Sequence, residues 1–477
     1  MHLVEEEALA PERPGSSARA FVKALARTPV LVDRGSSLAS VVVSALAGRS
    51  TLDPVKGDKR FLDPAWSLNP LYRRLAQAYL AVEQAIGEAV EDADVDWRTR
   101  ERARFVAGIL ASGLAPTNTL AGNPTALMHA FDTGGLSLVR GGRNLLADLR
   151  HNQGMPRQVD SSPFRVGENV GATPGQVVYR NEVVEIIQYA PTTPTVHAVP
   201  LLIVWSVINR YYVLDLAKDR SFIEYAVSQG LQVFVTSWRN PGPKHGDWDL
   251  DTYAEALHPA LLTAARAATD AAGVVDGRSI AAVFSWLRPN ELVWNQWVNN
   301  YLMGKEPPQY DILAWNNDTT RLSGAVQRDF LSIAVDNQLA TPGGLTVLGT
   351  PVDLGCVSTD TYVVGAETDH LVPWHGAYRT TQVFGGDSTF VLSGGGHIQH
   401  LVNPPGNPKA HFRTGQEAGP DPEAWLAQSA TEQGTWWSHW AGWARARSGE
   451  ERPAPTSLGS RRHRPIAAAP GRYVLEP

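Results

Sequence analysis

The sequence has a single cysteine, Cys356, and this scarcity excludes two kinds of site. One thiol cannot form an intramolecular disulfide, and it cannot supply the ligands of a cysteine-based zinc site. No run of about 18 apolar residues occurs, so we expect no transmembrane segment. The first residues, MHLVEEEALAPERPGSS, are acidic and lack the apolar core of a secretory signal. We therefore expect a cytoplasmic protein without a metal centre.

The sequence also lacks a large excess of charge of either sign. The formal net charge is −6 in 477 residues, so there is no basic excess to attract nucleic acid. A hydrophobic share of 43% and a charged share of 19% are typical of a soluble globular protein, and the length predicts two or three domains. Tryptophan, by contrast, is abundant, with 15 residues. These indoles could serve an apolar substrate or surface, or they could pack in the core.

The pattern of apolar residues divides the chain into regions. Segments 1–20 and 451–477 are rich in Pro, Arg, Ser and Gly, which predicts mobile or surface-lying ends. Helical spacing in residues 70–114 predicts two or more amphipathic helices within a helical N-terminal domain, 21–164. Strand and helix patterns alternate over residues 165–450 and predict an α/β domain with a mostly parallel sheet.

Several strands can be assigned within the α/β region. The segment GQVVYRNEVVEIIQYAP predicts a hairpin that turns at Arg180 and Asn181. The apolar run VPLLIVWSVIN predicts a strand covered on both faces. Further strands are predicted at LQVFVTSW, GLTVLGTPV, DTYVVGA and STFVLSG.

Asp369 and His397 each follow one of these predicted strands, in TYVVGAETDH and TFVLSGGGH. In an open parallel sheet, reactive groups collect at the carboxyl ends of the strands. An acid followed by a histidine is the order of the last two members of an α/β-hydrolase triad. The acid orients the imidazole, and the imidazole accepts the proton of the nucleophile. Either residue alone could be a turn aspartate or a loop histidine, but together they favour a triad.

The loop after the strand VPLLIVW is where an α/β-hydrolase fold supplies one N–H group of its oxyanion hole. Val207 and Ile208 are the candidates for this amide, and Asn209 completes the predicted oxyanion and substrate loop. The neighbouring Tyr211 and Tyr212 could belong to this loop's function, or they could equally be packing residues.

The nucleophile has no good candidate. An elbow needs the pattern G-x-[Ser/Cys]-x-G between a strand and a helix, and no such pentapeptide occurs in the sequence. Cys356 precedes the strand of Asp369, so it would lie at the wrong end of the sheet. Ser279, in DGRSIAAVF, comes closest, but only the short GVVD is available as its strand, and it fits a helix N-cap better.

A whole structural unit also lacks a counterpart. The long helix pattern LDTYAEALHPALLTAARAATDAAG passes almost directly into SIAAVFSWLRPNELVWNQWVNNYL, a tryptophan-rich segment typical of a lid. We therefore expect the central nucleophile strand to be deleted and a partial helical cap to lie at about 279–335.

Long motifs run in order through the chain: LLIVWSVINRYYVLDL, VFVTSWRNP, FSWLRPNELVWNQWVNNYL, YDILAWNNDTTRL, DHLVPW, GGGHIQHLVNPP and APGRYV. In these motifs the sequence resembles the polyhydroxyalkanoate synthases, also called poly(3-hydroxyalkanoate) polymerases. The resemblance covers nearly the whole chain, and the length of the N-terminal region together with APGRYV suggests the class I form.

The resemblance implies a cysteine acyltransferase on an α/β-hydrolase fold. Its substrate would be an (R)-3-hydroxyacyl-CoA such as 3-hydroxybutyryl-CoA. Its product would be a polyester, formed with release of coenzyme A. The resemblance further implies that Asp369 is the catalytic acid and His397 the general base. It also implies a homodimer formed through the cap and association with polyester granules. Coenzyme A enters as a thioester substrate, so no separate cofactor is expected, and its binding residues are not indicated.

The sequence departs from this family at the site of the chemistry. The family's G-x-C-x-G-G cysteine has no counterpart between Gly273 and Arg278, and WSVIN stands where the family usually has a Pro-Pro pair. We therefore expect the covalent activity to be lost or impaired. Two alternatives stay open. The chain could be a non-catalytic partner of an intact synthase or a granule-associated binding protein, or it could be a residual serine esterase that uses Ser279.

Overall fold

The computed structural model describes residues 35–261, 274–275, 289–416, 419–460 and 463–476. Through their contacts these residues form two compact units. The helical unit comprises residues before Ser161 together with those from 289 to Gln309, and the α/β unit comprises the rest. The predicted segment 1–20 lies outside the described residues. Among the described residues, no helix is both long and apolar enough to cross a membrane.

The α-helices are numbered here in chain order. One of them, α9, is flanked by π-helical turns at Asn290–Trp294 and Val298–Leu302. The bounds are α1 (Gly35–Leu46), α2 (Ala65–Leu68), α3 (Pro70–Glu91), α4 (Trp97–Gly113), α5 (Pro124–Asp132), α6 (Leu136–His151), α7 (Phe222–Ser228), α8 (Leu250–Leu261), α9 (Asn295–Trp297), α10 (Asp311–Asn317), α11 (Gly324–Asp336), α12 (Trp374–Thr380), α13 (Pro422–Gln428) and α14 (Trp436–Arg445).

In the helical unit, α3 begins at a strong start signal. The side-chain oxygen of Asn69 accepts hydrogen bonds from the N–H groups of Leu71 and Tyr72. Pro70 occupies the first turn, where its missing N–H costs no intrahelical bond. Together α3 and α4 confirm the amphipathic helices predicted in residues 70–114.

Helix α6 packs a small and polar face onto the turn Val298–Leu302. Gly141 permits this approach, because a Cβ atom at that position would collide with the carbonyl oxygen of Tyr301. Asn144 donates to the carbonyl oxygen of Asn300 at 3.1 Å. The described part of the predicted cap up to Gln309 therefore belongs to the helical unit.

The strands, also numbered in chain order, form two main sheets and three small ribbons. Their bounds are β1 (Gly175–Arg180), β2 (Val184–Tyr189), β3 (Thr195–His197), β4 (Leu201–Ile203), β5 (Val233–Trp238), β6 (Val274–Val275), β7 (Leu322–Ser323), β8 (Leu345–Val347), β9 (Thr350–Val352), β10 (Thr361–Ala366), β11 (Ser388–Ser393), β12 (His411–Thr414), β13 (Ala430–Gln433), β14 (Glu451–Pro453) and β15 (Ala467–Ala468).

The first sheet has the order β15-β1-β2-β5-β4. Strands β1 and β2 form the predicted hairpin, but Arg180 still pairs with Glu185, so the turn is 181–183 rather than Arg180 and Asn181. Asn181 Oδ1 accepts the N–H groups of Val183 and Val184 in this turn. Strand β5 runs antiparallel to β2, and β4 runs parallel to β5. Helix α7 provides the crossover that a parallel connection requires.

The second sheet has the order β10-β11-β12-β13. Strands β10 and β11 are parallel and are joined through α12, whereas β12 and β13 add antiparallel. In the two main sheets, as far as the structure describes them, the prediction of parallel pairing thus holds for the two pairs joined by helical crossovers. The other pairs are antiparallel.

One hydrophobic core joins the two sheets. It contains Val233 and Val235 of β5 and Val391 of β11. Trp437 of α14 is fully buried in the same core, and the ring of Phe222 lies 5.2 Å from it. For the segment WWSHWAGW, core packing therefore explains the tryptophans.

Two strand predictions were wrong in extent. Strand β4 has three residues, because the chain then leaves the sheet and the N–H of Trp205 donates to the side chain of Thr236. The segment GLTVLGTPV is a hairpin, β8–β9, rather than one strand. It turns at Leu348 and Gly349, which both have positive φ. Leucine is uncommon in that conformation, so Gly349 alone did not mark a two-residue turn in the sequence.

The described residues of the predicted tail, 451–477, are mostly exposed, as in a surface-lying segment, but they are also held to the fold by strand pairing and by a buried end. Strand β14 pairs with β3, and β15 pairs with β1. Tyr473 is buried, and the buried carboxylate of Glu185 accepts the N–H groups of Arg472 and Tyr473, each at 3.0 Å. Composition did not reveal these contacts, because Pro, Arg and Gly also occur in irregular backbone that is held by specific interactions.

Candidate active site

Asp369 and His397 lie at one edge of the second sheet. Asp369 belongs to the loop that leaves the carboxyl end of β10, which we call the acid loop (367–369). His397 belongs to the loop that leaves the carboxyl end of β11, the histidine loop (394–397). Because β10 and β11 are parallel and end in register, both loops leave from the same edge.

The two side chains are in direct contact. His397 Nδ1 lies 2.8 Å from Asp369 Oδ2. The other carboxylate oxygen, Oδ1, accepts the N–H groups of Leu371 at 2.8 Å and Val372 at 2.9 Å. The Asp369 side chain is 5% exposed, whereas that of His397 is 35% exposed. The carboxylate is therefore held by its own loop, and the imidazole reaches from it toward solvent.

The environment of Asp369 favours the ionised carboxylate. Burial alone would raise its pKa, but the hydrogen bonds from Val372, His397 and Leu371 outweigh burial, so the pKa lies below its usual value. An ionised Asp369 keeps the proton of His397 on Nδ1. The second ring nitrogen, Nε2, is then the one that can accept a proton from a nucleophile. Catalytic roles for Asp369 and His397 stay a prediction.

Two further histidines lie close by. The ring of His370 stands edge-on to that of His397, with centroids 6.4 Å apart. His400 donates from Nδ1 to the carbonyl oxygen of Gly396 at 3.2 Å, and burial lowers the pKa of its imidazole. Within the part of the chain that the structure describes, His, Cys, Asp and Glu side chains form no group of three that could hold a metal ion.

A second contact between a histidine and a carboxylate adjoins the first, and the sequence patterns did not reveal it. Glu367 directly follows β10, and His411 begins β12. His411 Nε2 lies 3.1 Å from Glu367 Oε2, and Arg413 Nε donates to Oε1 at 3.3 Å. A Cβ atom on Gly394 would lie 2.6 Å from His411 Cε1, so the imidazole rests on the histidine loop. Only the pairing of β11 with β12 brings these residues together, and no local motif encodes that pairing.

The loop after β4 carries the predicted oxyanion residues Val207, Ile208 and Asn209. The N–H of Ile208 donates to Ser206 Oγ at 3.3 Å, so this amide already has a partner. Val207 and Ile208 pack against a hydrophobic cluster at the end of β5, whereas the residues after His397 pack against the core that joins the two sheets. The structure thus brings the acid and the histidine into contact and leaves this loop in a separate cluster. Its oxyanion role stays a prediction.

Of the two candidate nucleophiles, Cys356 and Ser279, the structure describes only Cys356. Cys356 is exposed and ends a short 3-10 turn before β10, so it lies at the opposite end of that strand from Asp369. Ser279 lies outside the described residues. Of the preceding segment GVVD, the structure describes Val274 and Val275, which form β6 and pair with β7.

Comparison with known proteins identifies the family. The family model described as "Poly-beta-hydroxybutyrate polymerase (PhaC) N-terminus" matches residues 57–226. The family model of the alpha/beta hydrolase fold matches residues 261–404. Poly(3-hydroxyalkanoate) polymerase 2 of Ectopseudomonas oleovorans is 41% identical over 511 residues, which cover 93% of this chain and 90% of the relative. The chain belongs to the poly(3-hydroxyalkanoate) polymerase family.

Two further polymerases are similar to this chain over most of its length. Poly(3-hydroxyalkanoate) polymerase 1 of Ectopseudomonas oleovorans is 40% identical over 531 residues, covering 97% of this chain and 94% of the relative. The poly(3-hydroxyalkanoate) polymerase subunit PhaC of Cupriavidus necator is 36% identical over 490 residues, covering 87% and 83%. The predicted family and its α/β-hydrolase fold are thus confirmed. The first two alignments are longer than the 477 residues of this chain, so both polymerases contain residues without a counterpart in it.

Proposed function

We propose that this chain is a polymerase-family protein that has lost the covalent step of acyl transfer from (R)-3-hydroxyacyl-CoA. The observation that carries the proposal is an Asp369–His397 hydrogen bond in a chain whose sequence has no G-x-[Ser/Cys]-x-G elbow. In the proposed reaction Asp369 would be the acid and His397 the base, but the elbow that would present a nucleophile to the base has no counterpart in the sequence.

The position of Cys356 supports this proposal. The thiol is exposed and lies at the amino end of β10, whereas His397 follows the carboxyl end of the neighbouring strand. A general base must reach the nucleophile through a hydrogen bond or one water molecule. A strand of six residues separates the two ends by roughly 20 Å, so Cys356 cannot serve His397 in this fold.

The ends of the two sheets support it as well. Among the described strands, β4 ends the order of the first sheet and β10 begins that of the second. Each pairs with a parallel neighbour on one side, and an α/β-hydrolase fold carries its nucleophile on a central parallel strand. Loss of the nucleophile strand and of the strand that follows it in the family, between β4 and β10, would account for both ends.

Without a nucleophile, the chemistry left to the pair is modest. His397 could still take a proton from water or from a substrate hydroxyl, and general-base catalysis contributes about 10²–10⁴-fold. No thioester would form on the protein, and no polyester chain could be passed from one acyl unit to the next.

The test is release of coenzyme A from 3-hydroxybutyryl-CoA by the purified full chain. The control is His397→Ala, and one of the Ectopseudomonas oleovorans polymerases serves as the active reference. We expect no release above that of the His397→Ala variant. Release that depends on His397 would overturn the proposal. Ser279→Ala and Cys356→Ala would then identify the nucleophile, and loss of activity in Ser279→Ala would favour the serine esterase.

A second candidate function is that of a non-catalytic partner of an intact polymerase, in the cytoplasm and at the surface of polyester granules. This candidate rests on the family resemblance, which assigns residues of this region to the dimer-forming cap; in the structure, residues 290–302 form a continuous helical segment. The test is co-purification of this chain with an intact polymerase, with this chain alone as the comparison for homodimers. Absence of any association would end this candidate.

A further inference from the structure

We propose that Glu367, His411 and Arg413 form a brace that positions the Asp369–His397 pair. Glu367 belongs to the acid loop, Arg413 contacts Glu367, and His411 contacts both Glu367 and the histidine loop. None of the three needs to touch a substrate. The proposal rests on the role of Asp369 and His397 in the proposed function, and it adds positioning residues to that site.

The first step of the argument is that the acid loop and the histidine loop are tied together through their backbones. The N–H of Glu367 donates to the carbonyl oxygen of Ser393 at 2.9 Å, and the N–H of Thr368 donates to that of Gly395 at 3.0 Å. These bonds continue the parallel pairing of β10 and β11 beyond its last paired residues. A side chain that moves one loop therefore moves the other.

The second step is that His411 contacts both loops with one ring. Its Nε2 lies 3.1 Å from the carboxylate of Glu367 on the acid side. The same ring lies against Gly394, where an added Cβ would be 2.6 to 2.9 Å from Cε1, Nε2 and Nδ1. The backbone holds the ring there, because the N–H of Gly394 donates to the carbonyl oxygen of His411 at 2.9 Å.

The third step concerns the charges. Arg413 lies two residues beyond His411 on β12, on the same face of the strand, and its Nε donates to Glu367 at 3.3 Å. The carboxylate of Glu367 thus has two partners from one strand, which restrict where the acid loop can lie. All three side chains are partly exposed, so the contacts contribute little to global stability. Their effect is to fix geometry.

Geometry of this kind matters for the pair. An acid, a histidine and a reacting group must be held within about 0.5 Å of their productive arrangement. The 2.8 Å contact between His397 Nδ1 and Asp369 Oδ2 depends on how the acid loop and the histidine loop lie relative to each other. The brace contacts both within a few residues of that hydrogen bond.

The test measures the Asp369–His397 hydrogen bond directly. In full-length protein with ¹⁵N-labelled histidine, the Nδ1 proton of His397 gives a low-field signal, which is assigned by its absence in His397→Gln. We expect this signal to shift or broaden in His411→Ala and in Glu367→Gln. The matched control is His375→Ala, which breaks a comparable contact with Glu423 at 2.8 Å and leaves the brace intact. An unchanged signal in both brace variants would overturn the proposal.

A steric rescue provides the second arm. Gly394→Ala introduces a Cβ that the ring of His411 excludes, so we expect the low-field signal to shift or disappear. Adding His411→Ala to Gly394→Ala removes the clash, and the signal should then match that of His411→Ala alone. A double variant with a signal still as perturbed as that of Gly394→Ala would show that His411 is not the contact that matters.

Thermal melting of each variant separates positioning from folding. A structural role alone would change the melting temperature and leave the signal in place. The readout does not require turnover, so failure of the brace and failure of the proposed function are distinguishable. Release of coenzyme A that depends on His397 would contradict the proposed function, but it would not change how the hydrogen bond is measured.

Discussion

The two main sheets of the α/β unit are held in different ways. The first sheet depends on a buried polar network, in which Glu185 accepts two N–H groups of the C-terminal segment. Arg210 donates to the carbonyl oxygens of Tyr473 at 3.2 Å and Val474 at 2.9 Å in the same network. The second sheet is covered by an aromatic cluster that includes Tyr378, Phe390 and Trp425, so apolar packing takes the place of the network.

This difference corresponds to a difference in predicted roles. The acid and the histidine both leave the second sheet, and the predicted oxyanion loop leaves the first. In an α/β-hydrolase fold the acid and the histidine act together with the oxyanion loop on a nucleophile that lies between the two groups. We therefore expect the packing of the second sheet to act directly on the loops of Asp369 and His397, whereas the network of the first sheet holds the C-terminal segment.

The largest effect is expected when the aromatic cluster is broken. Trp425 is fully buried, with the ring of Phe390 4.8 Å and that of Tyr378 5.8 Å from its own. Trp425→Ala should lower the free energy of unfolding by about 3–5 kcal/mol, because it leaves a large cavity. Urea unfolding measures this. The control Trp97→Ala, at an exposed indole of the helical unit, should cost less than about 0.5 kcal/mol. Equal losses would contradict the packing argument.

The next effect tests the polar network of the first sheet. Glu185→Gln should lower the free energy of unfolding by about 2–3 kcal/mol, since the buried carboxylate that Arg180, Arg472 and Tyr473 share would lose its charge. The comparison is Glu168→Gln, which removes an exposed partner of Arg165 and should change almost nothing. A small loss at Glu185 would mean that the C-terminal segment is held mainly by its apolar side chains.

A smaller effect, with a defined pH dependence, is expected at Asp369. Asp369→Asn should cost about 1–2 kcal/mol at neutral pH, because it weakens hydrogen bonds to a charged acceptor. The pKa of Asp369 is lower in the folded state than the ordinary value of about 4. Its stabilising contribution is therefore complete above that value and is lost as the pH falls through the folded pKa. Unfolding of both proteins at a series of pH values should show the difference closing in acid. A constant difference would contradict an ionised Asp369.

The smallest effect is expected at Cys356. Cys356→Ser should change the free energy of unfolding by less than about 0.5 kcal/mol, because the side chain is exposed. Coenzyme A release should equal that of the unsubstituted chain. Any fall in release specific to Cys356→Ser would show that the thiol reaches the acid and the histidine by a route that the sheet order does not provide.

Local patterns were enough to predict the elements that carry the acid and the histidine. Apolar runs located β5, β10 and β11, and the polar pair at Arg180 located the first hairpin. Asp369 and His397 could be placed together because two parallel strands end at one edge. These predictions needed only a strand, the loop after it and the general behaviour of parallel sheets.

Long-range contacts could not be predicted in this way. The brace depends on β12 pairing with β11, and the C-terminal segment depends on a carboxylate in the middle of the chain. The hairpin at Leu348 was missed because its turn uses a residue that seldom adopts positive φ. For the brace and the C-terminal segment the determining interaction lies outside the window in which apolar periodicity is informative, whereas the hairpin is local and was missed for its turn residue alone.

The bond between Glu185 and the backbone of Arg472 also has a consequence for biosynthesis. Its two ends are 287 positions apart, and at ordinary rates of translation roughly 15–60 s pass between their synthesis. Throughout that interval β1 is an open edge without β15, and the carboxylate has only Arg180 as a partner. We therefore expect the first sheet to be completed only after residue 472 has been synthesised, and the nascent chain to need protection from aggregation until then.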